Sequence, residues 1–467
     1  MPIPNLRSLF GFPSSTALLL ASLLLCAVSA SAGTLYVAPD GDDSRNAFTA
    51  GDPATPLRTI RRALDLARSG EEYGTGDTIV LRGGLYPGPF GLNKSGITLR
   101  GYPGERPILQ VTDPNAWEVI GIPAMDRWDD ERKTGVFSPV HHVQVIGLIV
   151  DGSLASAECN GIVLHPTAHH VRILDCTVRN MGGAGIAAVG TVSDATQEVT
   201  EGSDYVTING NAVYRCAWGS KYDQSGITLL GLRNRQESDR GYHNVVVGNR
   251  IYENRSRYTP PSRTGNGFHT DGNGIIIDTS YESPRTLIGN NLVYRNGGRG
   301  IHVFKSNNVD VVNNTCVRNL QDGDLRVPFP NGSGPSAELS VGQSARVRFL
   351  NNIAVSGGQP GALCARSFDN GKAVAPAPDS VRFEANLFFG GEADLGTGAD
   401  KAASWQNRFG NPQFLSPDAD SPDFRCRPSG PGVDVGSRRV LLKTDFGSKN
   451  RTQGRGPDIG AWETRRP

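Results

Sequence analysis

Short runs of alternating apolar and polar residues, each closed by Gly or Asn, fill the middle of this chain. One phrase reads apolar-x-apolar, then Asn, then further apolar residues and a polar turn. Its copies are ILDCTVRN ending at Asn180, INGNAVYRC ending at Cys216, VVGNRIYEN ending at Asn254 and IGNNLVYRN ending at Asn296. VNNTCVRN ending at Asn319, LNNIAVSG ending at Gly357 and EANLFFGG ending at Gly391 continue the series. Anchored on the Asn, the register is Asp175, Asn211, Asn249, Asn291, Asn314, Asn352 and Asn386. A second phrase opens on Gly, as in GIVLH from Gly161, GIAAVG from Gly185 and GITLLG from Gly226. It returns as GIIID from Gly274, GIHVFKS from Gly300 and GALCARS from Gly361.

Alternation with period 2 predicts several short strands per repeat. The tightest interval, Asn291 to Asn314, is 23 residues, so longer intervals are the same unit with loops inserted. One unit leaves an apolar face uncovered, and stacked units share a core. The predicted architecture is an all-β, right-handed parallel β-helix with equivalent residues about 4.8 Å apart on adjacent coils. Asn side chains stacked at a turn bond one another and the backbone. That structural role is expected for Asn211, Asn249, Asn291, Asn314, Asn352 and Asn386.

Three segments are expected: a leader over 1–32, the β-helix with its N-terminal cap over 33–405, and a C-terminal capping segment over 406–467. The leader holds Arg7, an apolar run from Thr16 to Val28 and the small-x-small triplet Ala30-Ser31-Ala32. That is the pattern of a cleaved export signal, implying a secreted or periplasmic protein with no membrane attachment after cleavage. In the cap, Leu57, Ile60, Ala63, Leu64 and Ala67 share one helical face, and Pro56 marks a helix start. Beyond Asn411 the repeat gives way to a Pro-, Asp- and Gly-rich stretch.

Composition narrows the function. Lys and Arg number 47 against 46 Asp and Glu, which argues against general nucleic-acid binding. The six cysteines after the leader show no CxxC or zinc spacing and are expected to be mostly buried small hydrophobes. A monomer is expected.

The opening LYVAPDGDDS, TPLRTIRRALDLARSG and GDTIVLRGGLY, with the closing NPQF, VDVG and PDIGAWE, resembles secreted β-helix polysaccharide-active proteins. That group includes the family 9 pectate lyases and the family 6 alginate and chondroitin lyases. The resemblance spans nearly the whole chain after the leader. It implies a polysaccharide lyase acting on an acidic, uronate-containing polysaccharide by Ca²⁺-assisted β-elimination.

Candidate site residues come from the coils between Asn211 and Asn314, which carry long inserts. Aligned on Gly226, Gly274 and Gly300, the positions two after each Gly are Thr228, Ile276 and His302, expected to point outward. Three before come Asp223, Asp271 and Gly297, and five before come Lys221, His269 and Arg295. Lys221, His269 and Arg295 are candidate substrate contacts. Asp223, Asp271 and Asp278 are a candidate Ca²⁺ site, because neighbouring carboxylates need a shared proton or cation. Equally, each Asp closes a Gly-rich turn. Lys305 matches, in its Lys-Ser and following Asn-Asn-Thr, the base of family 6 lyases, whose Arg-His pair on the next coil is not evident here. His302 competes for the same role, and Arg299 is expected to lower the Lys305 pKa from the ordinary lysine value near 10.4. A non-catalytic polysaccharide-binding solenoid, a glycoside hydrolase and a C5-epimerase stay open as alternatives.

Overall fold

The structure, a computed structural model, describes residues 32–130, 134–193, 198–222, 224–236, 238–257, 271–281, 284–326, 336–358, 361–368, 380–396, 402–439, 442–451 and 453–464. Each coil is built from three strands, and strands of successive coils pair in parallel. Three faces result. Sheet 1 runs through Ile186–Val189, Ile227–Leu230, Ile275–Ser280 and Ala337–Gly342. Sheet 2 runs through Asp204–Asn209, Asn244–Val247, Thr286–Gly289 and Ala345–Leu350. Sheet 3 runs through Ala212–Tyr214, Arg250–Tyr252, Leu292–Tyr294 and Thr315–Val317. The strand Ile301–Val312 turns the corner unbroken and belongs to both sheet 1 and sheet 2. The chain is a right-handed parallel β-helix, the hand that parallel crossovers favour.

Alternation explains the core. Ile227, Ile275, Ile301 and Leu339 stack in one inward column, all buried, and their neighbours one residue on face outward. The Gly that opens the second phrase is required by close approach. A Cβ at Gly226 would lie 2.7 Å from Asn254 Nδ2 and 2.9 Å from the Gly274 carbonyl oxygen of the next coil.

The Asn column forms as expected. The backbone N–H and Nδ2 of Asn249 both donate to Asn291 Oδ1, at 3.0 Å each, and Asn291 repeats this with Asn314. Asn407 continues the column beyond Asn386. Asp175 does not belong to it: Cys176 takes the position and donates its N–H to Asn211 Oδ1 at 2.9 Å. Asp175 sits one residue earlier, at φ 53, a left-handed conformation that Asp adopts readily.

At the N-terminal end the helix covers Ile60–Leu66, shorter than the apolar pattern suggested. Thr59 caps it by accepting the Arg62 N–H, while Leu57 is drawn into a bridge with Val37 and so cannot be helical. At the other end Arg408–Phe409 is the last strand of sheet 3. The residues after it run beside the Asn turn, where Asn290, Asn313 and Asn351 donate to the carbonyl oxygens of Thr444, Asp458 and Ser437. Five of the six cysteines are buried and none forms a disulfide among the described residues. Among those residues no helix is long and apolar enough to cross a membrane.

Candidate functional site

Sheet 1 shows an outward column of unlike residues: Thr228, Ile276, His302, Ser340 and Arg366. The expected outward row Thr228, Ile276 and His302 is therefore present, and two further residues extend it. His302 Nδ1 lies 2.7 Å from Ser340 Oγ and 3.4 Å from the Ser340 carbonyl oxygen. The ring stacks near Phe304, at 5.5 Å between centroids, and Phe368, at 6.1 Å. Burial and then the charge of Arg299 push the His302 pKa well below its usual 6.5, so the imidazole is neutral at physiological pH.

Arg299 lies two residues before this strand, and Arg366 lies two coils from His302 along the column, about 10 Å at 4.8 Å per coil. Both are at least 91% buried. Burial lowers the Arg299 pKa to about 10, against the pull of Asp271, so the guanidinium stays charged. Arg366 reaches Asp394 at 3.6 Å and lies 5.1 Å over the Phe368 ring. A neutral imidazole flanked by two buried guanidinium groups suits an anion whose proton is to be removed.

Lys305 stands at the corner between sheets 1 and 2. Thr279, Lys305 and Gln343 occupy successive coils there with φ between 46 and 49, a left-handed bend that swings the chain from one sheet to the other. The Lys305 ammonium faces Asp278, whose pKa burial raises and Lys305 lowers, and it lies 5.3 Å over the Phe304 ring. Arg299 and Lys305, expected to be neighbours, stand six residues apart along this extended stretch. Arg299 lies at the other end of the strand, so its field falls on His302 instead.

The expected Ca²⁺ set does not assemble from its described members. Asp271 precedes the strand Ile275–Ser280 and contacts Ser225 Oγ at 3.3 Å and the field of Arg299. Asp278 is near the far end, bonded by Thr279 Oγ1 at 2.8 Å and facing Lys305. Two carboxylates at opposite ends of a strand, each beside its own cation, do not fit a shared oxygen cage. Asp223 and His269 lie outside the described residues. Among the described residues no group of three or more His, Cys, Asp and Glu is arranged to hold a metal ion.

The alignment five before each Gly fails. Arg295 stacks with Arg215 and Glu253 at the end of sheet 3, following the register of Tyr214, Tyr252 and Tyr294, and donates to the Ala419 carbonyl oxygen at 3.1 Å. Lys221 lies in a turn before sheet 1, paired with Glu158 at 3.8 Å. Connections between sheets 3 and 1 differ in length, so counting back across them loses register. GALCARS likewise slips by three residues: Cys364, not Gly361, takes the Gly300 position. Ser340 and Arg366 were hidden by this, since SAELSVG has no Gly to anchor it and Glu338 stands there instead.

Two further columns are present. Asn254, Asn296 and Asn319 form a second ladder ending on Glu338, whose pKa burial raises to about 8. At the start of sheet 2, His142, His170, Tyr205 and His243 stack at 4.5, 4.2 and 4.1 Å. Beside them His141 stacks on His169 at 5.1 Å, and Nδ1 atoms meet at 3.0 Å for His141–His142 and 2.8 Å for His169–His170. The repeated HHV of residues 141–143 and 169–171 was the signal for it.

No family model and no curated sequence matches the chain. Among solved structures, pectate lyase Pel9A is similar at 15% identity, covering 94% of this chain and 98% of its own, with a TM-score of 0.50. A rhamnogalacturonan lyase (13% identity, 82% of this chain and 91% of its own, TM-score 0.41) and a glycoside hydrolase (8%, 81% and 97%, TM-score 0.46) align more loosely. The chain thus shares with pectate lyase Pel9A the parallel β-helix fold.

Proposed function

We propose that this protein is an exported, carbohydrate-active β-helix that cleaves a uronate-containing polysaccharide by β-elimination on the outer face of sheet 1. The observation that carries the reading is His302, a neutral buried imidazole held by Ser340 in a column that Arg299 and Arg366 flank. In β-elimination a base removes the proton beside the uronate carboxylate. The electrons released form a C=C bond, and the glycosidic C–O bond on the next carbon breaks. The leaving oxygen takes up a proton, giving one unsaturated and one ordinary chain end.

Charge grows on the carboxylate as the proton departs, and fixed cations away from water stabilise it most. Arg299 and Arg366 are assigned that part. His302 is assigned the base, with Nδ1–H directed at the Ser340 oxygens and Nε2 left as acceptor. Lys305, at the corner beside Asp278, is assigned the proton for the leaving oxygen. No step is routed through calcium, because Asp271 and Asp278 do not share a site. The apolar leader supports export, and the fold shared with a pectate lyase agrees with the substrate class.

The test is incubation with pectate, alginate and glycosaminoglycans while following the absorbance of unsaturated uronate. A signal on one of them is expected. New reducing ends without that absorbance would replace elimination by hydrolysis. Binding with neither product would leave a non-catalytic carbohydrate-binding solenoid.

A further inference from the structure

A second charged surface lies on a different corner of the coil, where the strands of sheet 3 end. A groove of about 470 Å³ opens there, lined by Arg215, Glu253 and Arg295, which directly follow successive sheet 3 strands, and by residues of the turns beyond them. Four of them are arginines, Arg215, Arg255, Arg257 and Arg295, against a single carboxylate, Glu253. Glu253 is already engaged by Arg215 at 3.0 Å. Arg255 and Arg257 make no side-chain ion pair among the described residues, and Arg257 is exposed. Trp218, 39% exposed, lies in the same groove with its Nε1–H donating to the Asn180 carbonyl oxygen at 3.2 Å. That bond fixes the ring while leaving apolar surface to solvent.

The wall behind these residues is stiff. Tyr214, Tyr252 and Tyr294 stack at 4.8 and 5.0 Å, within 11° of parallel, and each immediately precedes Arg215, Glu253 or Arg295. The coil repeat therefore sets Arg215, Glu253 and Arg295 in one row at about 4.8 Å per coil, with Arg255 and Arg257 just beyond Glu253 on the middle coil. A groove with four guanidinium groups, one carboxylate and an exposed tryptophan suits a chain that carries carboxylate or sulfate groups and presents C–H faces between them. Guanidinium groups bind such anions in pairs of parallel hydrogen bonds, and a fixed aromatic ring adds contact area at little entropic cost.

We propose that this groove is a second binding site for an acidic saccharide chain, separate from the sheet 1 column. It holds polymer on the outside of the coil while the sheet 1 face acts on it. The proposal rests on the uronate-polysaccharide reading of the protein, and the test separates the two.

The experiment is native electrophoresis of the mature protein through gels containing polygalacturonate, alginate, chondroitin sulfate, neutral dextran or duplex DNA. The wild type is compared with Arg255→Ala/Arg257→Ala, Trp218→Ala, Trp218→Phe and, for the sheet 1 face, Arg299→Ala. An acidic polymer is expected to retard the wild type, and dextran is not. The double arginine variant should bind about tenfold more weakly, with added salt reproducing part of that loss. Trp218→Ala should weaken binding and Trp218→Phe should restore most of it, which a merely structural role would not separate. Circular dichroism confirms that each variant is folded. Full retardation of the double variant would overturn the groove and leave the substrate reading intact. No retardation of the wild type by any acidic polymer would overturn both. Equal retardation by duplex DNA or dextran would overturn the saccharide assignment.

Discussion

The turn between sheets 2 and 3 repeats Asn at six successive coils, from Asn211 to Asn386, whereas the outward column of sheet 1 changes at every coil, from Thr228 through Ile276, His302 and Ser340 to Arg366. Both columns are stacked about 4.8 Å per step. In the first, each side chain donates to one neighbour and accepts from the other, so only the same residue on every coil satisfies all of them. In the second the residues differ from coil to coil, and a hydrogen bond along the column joins His302 to Ser340. His302 in it is held by Ser340 and by the ring of Phe368. Uniform stacking holds the coil together, and the varied column is the part to which the proposed chemistry is assigned.

His302→Ala should break the second column without touching the first. Turnover is expected to fall at least 100-fold, the ordinary worth of a general base, while the far-ultraviolet spectrum stays that of a β-helix. Turnover within a few-fold of wild type would return His302 to a packing role.

Asn314→Ala should do the reverse. It removes the acceptor used by the Asn291 N–H and Nδ2 and the donor used by the Ile288 carbonyl oxygen. Orphaned buried groups cost about 1–3 kcal/mol each, so a loss of about 3 kcal/mol in denaturant unfolding is expected, with turnover of the folded fraction unchanged. A loss near zero would mean water replaces the ladder there.

The histidine stack lies between the two behaviours, because it repeats one residue except at Tyr205 and is titratable. Burial first, and then neighbouring positive groups, push His169 and His170 down to about 4, and burial lowers His142 as well. A histidine whose folded pKa is depressed favours the neutral folded state, so its contribution is fully present above the unfolded value of 6.5. It is lost as pH falls from 6.5 through about 4. The thermal midpoint should decline across that window, and His142→Gln/His170→Gln should flatten the decline. An unchanged slope would assign the acid sensitivity elsewhere.

The smallest expected effect concerns Lys305. Lys305→Met should slow turnover less than His302→Ala does, since water can protonate the leaving oxygen. The rate profile should show no acid limb at 6.5, because the His302 pKa lies well below that value. A rate that climbs steadily into the alkaline range and vanishes in Lys305→Met would make the lysine the base after all.

The strand repeat, the Asn column and the outward position of His302 were all legible in the chain, because each depends only on counting within one strand or across one tight turn. The spacing of Gly226, Gly274 and Gly300 carried that register faithfully. It failed wherever the count crossed a variable loop or lost its glycine. Counting back from the glycines aligns Arg295 with Lys221, whereas it stacks on Glu253 and Arg215. Ser340 and Arg366 were passed over because Glu338 and Cys364 replace the Gly that would have aligned them.

The amino-acid sequence alone determined the period, the faces of each strand and the turn that Asn must fill, since alternation and side-chain hydrogen bonding are local. Which charges meet was decided only by the tertiary structure. Loops of unequal length between the faces shift one coil against another, so that Arg299 acts on His302, Asp278 receives Lys305, and Arg295 joins a groove on another corner.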